Sequence, residues 1–290
     1  MDSGNYGNTV TGEDSFSDEV TGGSEVSELS LVGRRLPQQN IAGSWLQTVQ
    51  SLMGTRSHKP SFVLFDIGQS GCITQAKWFA AHPAITFQED ILSETVRFPR
   101  LSVYQRIRQS NTDVYGFSLT VEQLRQVQRL ADPNQFLQDM NRGGCRVVYL
   151  NRRDVLRHAI ATLRTYSVNC RFDGKDTTRS NQLTIDVSEL LACLKYLDNQ
   201  RVEASAILHD IPCLELVYED DLMDPNTYAQ TADRLSAFLN IEDIKPVGSS
   251  LKLVHQRLCN IVENYEEVRA GLEASEYAYL LTDNRHLLTI

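Results

Sequence analysis

The chain predicts an α/β fold with a mostly parallel central sheet flanked by helices. Three observations lead there. Short, mostly apolar runs at Phe62–Phe65, Val114–Leu119, Arg146–Leu150 and Cys213–Val217 read as buried strands. Stretches with helical spacing separate them, and strands that alternate with helices form a mostly parallel sheet. The first strand also runs through Gly68 and Gly71 straight into a helical pattern, a joint common to such folds.

The elements follow in order. Residues 1–36 read as a disordered acidic leader, and 37–290 as one α/β domain. Within 1–33 there are seven acidic side chains and no Lys or Arg, in a background of Ser, Gly, Thr and Asn. Ile41, Trp45, Val49 and Leu52 give one amphipathic helix between Leu36 and Met53. After the first strand, Ala76, Phe79 and Ala80 resume helical spacing, and Ala84 to Asp90 allows a short strand and loop. A helix is expected around Val103 to Arg108. Thr120 is expected to cap a helix running through Leu130, with Asp132-Pro133 stopping it. A further helix follows Arg152-Arg153-Asp154 to about Thr165. Arg171 to Gln182 reads as a polar connection. Asp186 and Glu189 form a D-x-x-E cap for a helix whose inner face holds Leu190, Leu191, Leu194 and Leu197. Asp224-Pro225 opens another, with Leu235, Phe238 and Leu239 on its apolar side. One long helix is expected from Ser250 to about Leu272.

Composition excludes several classes of function. The leader carries most of the net charge of -9, so the remainder is nearly neutral and a nucleic-acid partner has no electrostatic support. No apolar run approaches the roughly 18 residues of a membrane span. Six dispersed cysteines with no CxxC pair argue against a zinc knuckle and for reduced thiols. A cytoplasmic protein without a metal is the expectation, and the exposed face of the 186–200 helix allows a homodimer.

The glycine joint carries the chemistry. Gly68 and Gly71 permit sharp turning, and the first N–H groups of the following helix have no internal partner and bear partial positive charge. An anion such as a phosphate or sulfate can sit there. A kinase is disfavoured because no GxxxxGK[ST] sequence is present. In sheets of this kind, ligands are expected beyond the carboxyl ends of the strands. Four segments lie at such ends: the 68–74 turn, Gln88-Glu89-Asp90, Asn151-Arg152-Arg153-Asp154 and Tyr218-Glu219-Asp220-Asp221.

The order and context of these four segments resemble the sulfotransferases that use 3′-phosphoadenosine 5′-phosphosulfate (PAPS), particularly the bacterial trehalose and carbohydrate type. Gln69-Ser70-Gly71-Cys72-Ile73 stands where that family has an Arg-Ser-Gly-Ser/Thr-Thr type loop, and Ala81-His82-Pro83 closes the helix as its "HP" does. The run from Val147 to Ala161 matches the strand and Arg-Arg-Asp that precede a serine eight positions later. Tyr218-Glu219-Asp220-Asp221-Leu222, Pro225 and Phe238-Leu239 resemble its "YEDL…P…FL" stretch, and Asn264 to Val268 its "NYEEV" helix. The likeness spans about 60 to 282.

The resemblance implies a P-loop NTPase-like fold and sulfuryl transfer to a hydroxyl of a carbohydrate, glycolipid or polysaccharide. It implies that Gln69, Ser70, Gly71, Cys72, Ile73 and Thr74 hold the phosphosulfate and that Arg153 and the Ala161 position hold the 3′-phosphate. Glu89 is implied as the base that deprotonates the acceptor, with Asp90 its alternative. Three departures stand out. Gln69 replaces a cation, Ile73 replaces a hydroxyl residue and Ala161 replaces the serine, so a catalytically inactive binding or assembly protein is the alternative. Cys72 at a helix start has a setting that lowers thiol pKa, but no His partner is identifiable. His158 reads as a packing residue, His82 as a helix terminator, and Lys252 as a second cation near the nucleotide.

Overall fold

The computed structural model of the chain describes residues 59–170, 183–247 and 257–283. The leader, the Leu36–Met53 helix, the 171–182 connection and Lys252 lie outside them. Five strands form the centre: β1 (Ser61–Asp66), β2 (Ile85–Gln88), β3 (Val114–Thr120), β4 (Cys145–Asn151) and β5 (Cys213–Val217). All neighbouring pairs are parallel, in the order β2-β3-β1-β4-β5. The expected mostly parallel sheet flanked by helices is therefore observed.

Strand residues alternate between two cores because successive side chains point to opposite faces. Val63, Phe65, Phe117 and Val147 face one core, made with α2 (Pro99–Gln109), α3 (Pro133–Arg142), α4 (Val155–Cys170) and α5 (Val187–Leu208). Phe62, Leu64, Val148 and Leu150 face the other, with α1 (Cys72–Ala80), α6 (Tyr218–Asp221) and α7 (Tyr228–Leu239). β1 is central and every one of its residues is buried. Fully burying each large apolar side chain contributes roughly 1.5–3 kcal/mol, which makes this strand the anchor of both layers.

Two caps match the expectation. Asp186 Oδ1 accepts from Glu189 N at 3.0 Å to open α5, and Asp224 Oδ1 accepts from Asn226 N at 2.9 Å ahead of α7. Three expectations are corrected. Thr120 does cap, exchanging bonds of 3.1 Å with Gln123 in both directions, but only a widened π turn follows over Gln123–Val127. The Gln128 side chain is drawn sideways to Leu92 O, Glu94 O and Val96 N, so this segment anchors a loop instead of extending a helix to Leu130. Asp132-Pro133 starts α3 rather than ending a helix, with Asp132 Oδ1 accepting from Gln135 N at 2.9 Å.

The third correction concerns the expected helix to Leu272. Its described part divides into α8 (Leu258–Ile261) and α9 (Tyr265–Glu273). Between them the backbone pairs with Leu183, through Leu183 N to Ile261 O at 2.7 Å and Glu263 N to Leu183 O at 3.0 Å. Asn264 holds both backbone groups of Ile185. These long-range bonds displace the helical ones at the break. A final turn, α10 (Tyr279–Asp283), follows. Among the described residues, no helix is long and apolar enough to cross a membrane.

Candidate functional site

β1 and β4 are neighbours, yet the chain leaving β1 runs to β2 at one edge while the chain leaving β4 runs to β5 at the other. Such a reversal opens a crevice beyond the carboxyl ends of the two strands. The glycine turn follows β1 and Arg152-Arg153-Asp154 follows β4, so topology brings the two predicted segments together.

The turn contacts α4, the helix that follows Arg152-Arg153-Asp154, directly. His158 Nε2 lies 2.6 Å from the carbonyl oxygen of Gly68, and the Thr165 hydroxyl donates to Gln69 Oε1 at 3.2 Å. His158, Ala161 and Thr165 are spaced three and four apart on α4 and share a face. Gln69 and the Ala161 position therefore lie across one interface. A carbonyl only accepts, so His158 carries its proton on Nε2 and leaves Nδ1 a bare acceptor, buried without a partner. Burial drives the imidazole down to about 4, with the Gly68 bond opposing and the Arg152 and Arg201 charges adding to the fall. The ring is neutral near pH 7. Its role as a packing residue thus extends to holding the turn.

Gly71 adopts φ 100° at the start of α1, a left-handed conformation suited to glycine, and an added Cβ would overlap the Tyr218 ring. The cap offers no side chain to the first-turn amides. Ser70 is wholly buried and its hydroxyl donates to Gly68 O at 3.2 Å, so it braces the turn from within. Thr74 N–H returns to Gly71 O at 3.2 Å, while Ile73 is 53% exposed at the helix start. Gln75 is buried with both amide atoms unpartnered. Residues 67–76 contain no Lys or Arg.

Sequence reasoning missed Asp66. It ends β1, is 3% exposed, and Oδ1 accepts from Gly68 N at 2.8 Å. Burial raises its carboxyl to about 6, against the lowering effect of the Gly68 N–H and the Cys72 thiol, with Asp90 adding to the rise. Burial also pushes the Cys72 thiol far up, reinforced by Asp66, Glu89 and Asp90. Cys72 is a protonated thiol here, and the pKa-lowering effect of a helix start is outweighed. The clue to Asp66 was a carboxylate terminating an otherwise apolar run just before the glycine turn.

On the β4 side, the Arg153 guanidinium pairs with Asp220, both of them exposed. The N–H groups of Arg153 and Asp154 donate to the Glu219 carboxylate at 2.8 and 3.2 Å. Arg152 is buried 4.7 Å above the Tyr218 ring and 3.6 Å from Glu219. Arg157 is buried 3.3 Å from Asp154, and Arg201 donates to Arg152 O. The Tyr218-Glu219-Asp220 segment therefore fills the start of α4 with its own carboxylate, a favourable place for negative charge.

Glu89 is exposed on the rim of a groove of about 370 Å³ lined by Asp90, Ile91, Glu94, Val96 and Arg106. Asp90 Oδ1 accepts from Gln123 Nε2 at 2.8 Å.

No protein-family model matches the chain, and no curated protein matches it. Among solved structures, it is similar to mouse sulfotransferase SULT7A1 complexed with PAP, at 14% identity and TM-score 0.39, over 77% of this chain and 68% of that one. It is also similar to a sulfotransferase from Alicyclobacillus acidocaldarius, at 13% identity and TM-score 0.44, over 80% and 96%.

Proposed function

We propose that the crevice binds PAPS and that the chain moves its sulfuryl group to a hydroxyl of a carbohydrate, glycolipid or polysaccharide acceptor. One observation carries this reading: the glycine turn and the α4 segment meet at the sheet's reversal point, tied by His158 and Gly68 at 2.6 Å. The uncapped start of α1, with Gly71 pressed against Tyr218, fits an anion held by backbone N–H groups.

In this reading the backbone from Gln69 to Thr74 holds the phosphosulfate. Arg153 holds the 3′-phosphate by exchanging Asp220, a small loss because exposed ion pairs are worth about 0–1 kcal/mol. The bound nucleotide supplies the electrophilic sulfuryl group. Glu89 takes the acceptor proton as the new S–O bond forms, and the adjoining groove receives the acceptor.

A second reading, a catalytically silent binding module, is favoured by a different observation. No cation stands within 67–76, and three carboxylates act on Cys72. A hydrogen bond to a charged group contributes roughly 1.5–3 kcal/mol, so losing the cation at Gln69 and the hydroxyl at Ala161 weakens nucleotide binding by roughly two to four powers of ten.

Titration calorimetry with 3′,5′-adenosine bisphosphate, together with transfer of labelled PAPS to a sugar panel, separates the readings. The enzyme reading expects Arg153→Ala to weaken binding about tenfold or more. It expects Glu89→Gln to lower turnover roughly 10²–10⁴-fold with binding retained. Binding without turnover on any acceptor would leave the silent reading; no binding at all would remove the nucleotide from both.

A further inference from the structure

We propose that Asp66 is a positioning residue that gates anion capture by the glycine turn, its carboxyl taking up a proton from solvent as the anion seats. This rests on the reading of the turn as an anion site. The geometry comes first. Asp66 lies directly beneath the turn, 3% exposed, and holds the Gly68 N–H at 2.8 Å. In its ionised form it takes the place of the ligand: the turn's first amide is already spent on a negative group built into the protein. Nothing within 67–76 offsets that charge with a cation.

The groups around it share its sign or are neutral. Cys72 faces it from α1 as a protonated thiol, Asp90 from the loop after β2, and the Tyr149 phenol from β4. Glu89 joins them at Cys72. His158, reaching Gly68 from α4, is neutral with an acid-shifted ring and does not titrate between pH 5.5 and 7.5. An arriving anion therefore meets an uncompensated buried carboxylate, and the smallest adjustment that removes the repulsion is one proton on Asp66. With the carboxyl at about 6 in the empty site, that proton is absent at pH 7.5 and mostly present at 5.5. Proton uptake and anion binding are then linked, up to a limit of tenfold in affinity per pH unit for one proton.

Sulfate is the probe, because it stays doubly charged over this range. Its affinity for the full chain is measured at pH 5.5, 6.5 and 7.5 by calorimetry, in two buffers of different ionisation heat so that proton uptake is counted. Wild type is expected to bind roughly 25-fold more tightly at pH 5.5 than at 7.5, taking up close to one proton per sulfate at pH 7.5. Asp66→Asn keeps an oxygen acceptor for Gly68 N–H. It is expected to bind with the low-pH affinity throughout, with no linked proton. A wild-type affinity that is flat with pH, or an Asp66→Asn variant with undiminished pH dependence, would overturn the proposal. So would failure of either protein to bind sulfate. The wild-type proton count decides the matter even if the variant does not fold. A parallel titration with 3′,5′-adenosine bisphosphate keeps the two ideas apart. Proton-linked sulfate binding without nucleotide binding would retain the gate and discard the nucleotide.

Discussion

His158 shows how much one buried side chain can settle. Its single N–H closes a bond to Gly68 O, and that carbonyl also accepts from Ser70, so two residues distant in sequence brace one turn. Replacing the ring by Phe keeps the bulk and removes the donor. Loss of one partner from a buried pair costs about 1–3 kcal/mol. His158→Phe is therefore expected to be less stable than wild type by that amount at pH 7.5 in urea denaturation. A raised or unchanged stability would refute the bracing role. None of this was visible in the sequence. A histidine on a helical run looks the same whether it faces solvent, core or loop, and its bond to Gly68 spans 90 residues.

At the scale of elements, the strands and most helices were legible because their apolar spacing is a local property. Caps were legible for the same reason: Asp186 and Glu189 are three residues apart, and their bond is local. The π turn and the break at 261–264 were not, because Gln128 and Leu183 are claimed by distant backbone. Packing between elements is equally hidden. Gly116 of β3 lies under the Phe62 ring, which contacts Phe79 at 4.6 Å and Phe87 at 6.0 Å between centroids. A Cβ there would overlap the ring and force this aromatic cluster to move. Overpacking of this kind typically costs 1–3 kcal/mol. Gly116→Ala is expected to lower the thermal midpoint accordingly, and Phe62→Leu in the same chain to restore part of it. An additive double mutant would argue against the overlap.

Over the whole molecule, two buried groups set opposite pH trends. The Asp66 carboxyl is raised to about 6, so its contribution to stability is fully present below 3.8 and lost as pH rises through 6. The His158 ring is lowered to about 4, so its contribution is complete above 6.5 and lost as pH falls through 4. Each swing is worth roughly 3 kcal/mol. Between pH 4 and 6 they oppose one another, and wild-type stability from these two sites is expected to change little there. Denaturant midpoints across pH 4–7 check this: Asp66→Asn is expected to lose stability more steeply on acidification than wild type, and His158→Phe to gain. Parallel curves for all three proteins would refute the assignment of these trends.

The amino-acid sequence alone determined the alternation of strands and helices, the glycine turn after the first strand, and the candidate segments at the strand ends, because each depends on spacing within a few residues. The tertiary structure decided which of those segments meet. It placed the turn against the helix that follows Arg152-Arg153-Asp154, drew Glu219 onto the start of α4, and buried Asp66 beneath Gly68. The physical reason is that strand order and burial fix a group's neighbours and its contact with water. Those neighbours come from parts of the chain 2 to 90 residues away.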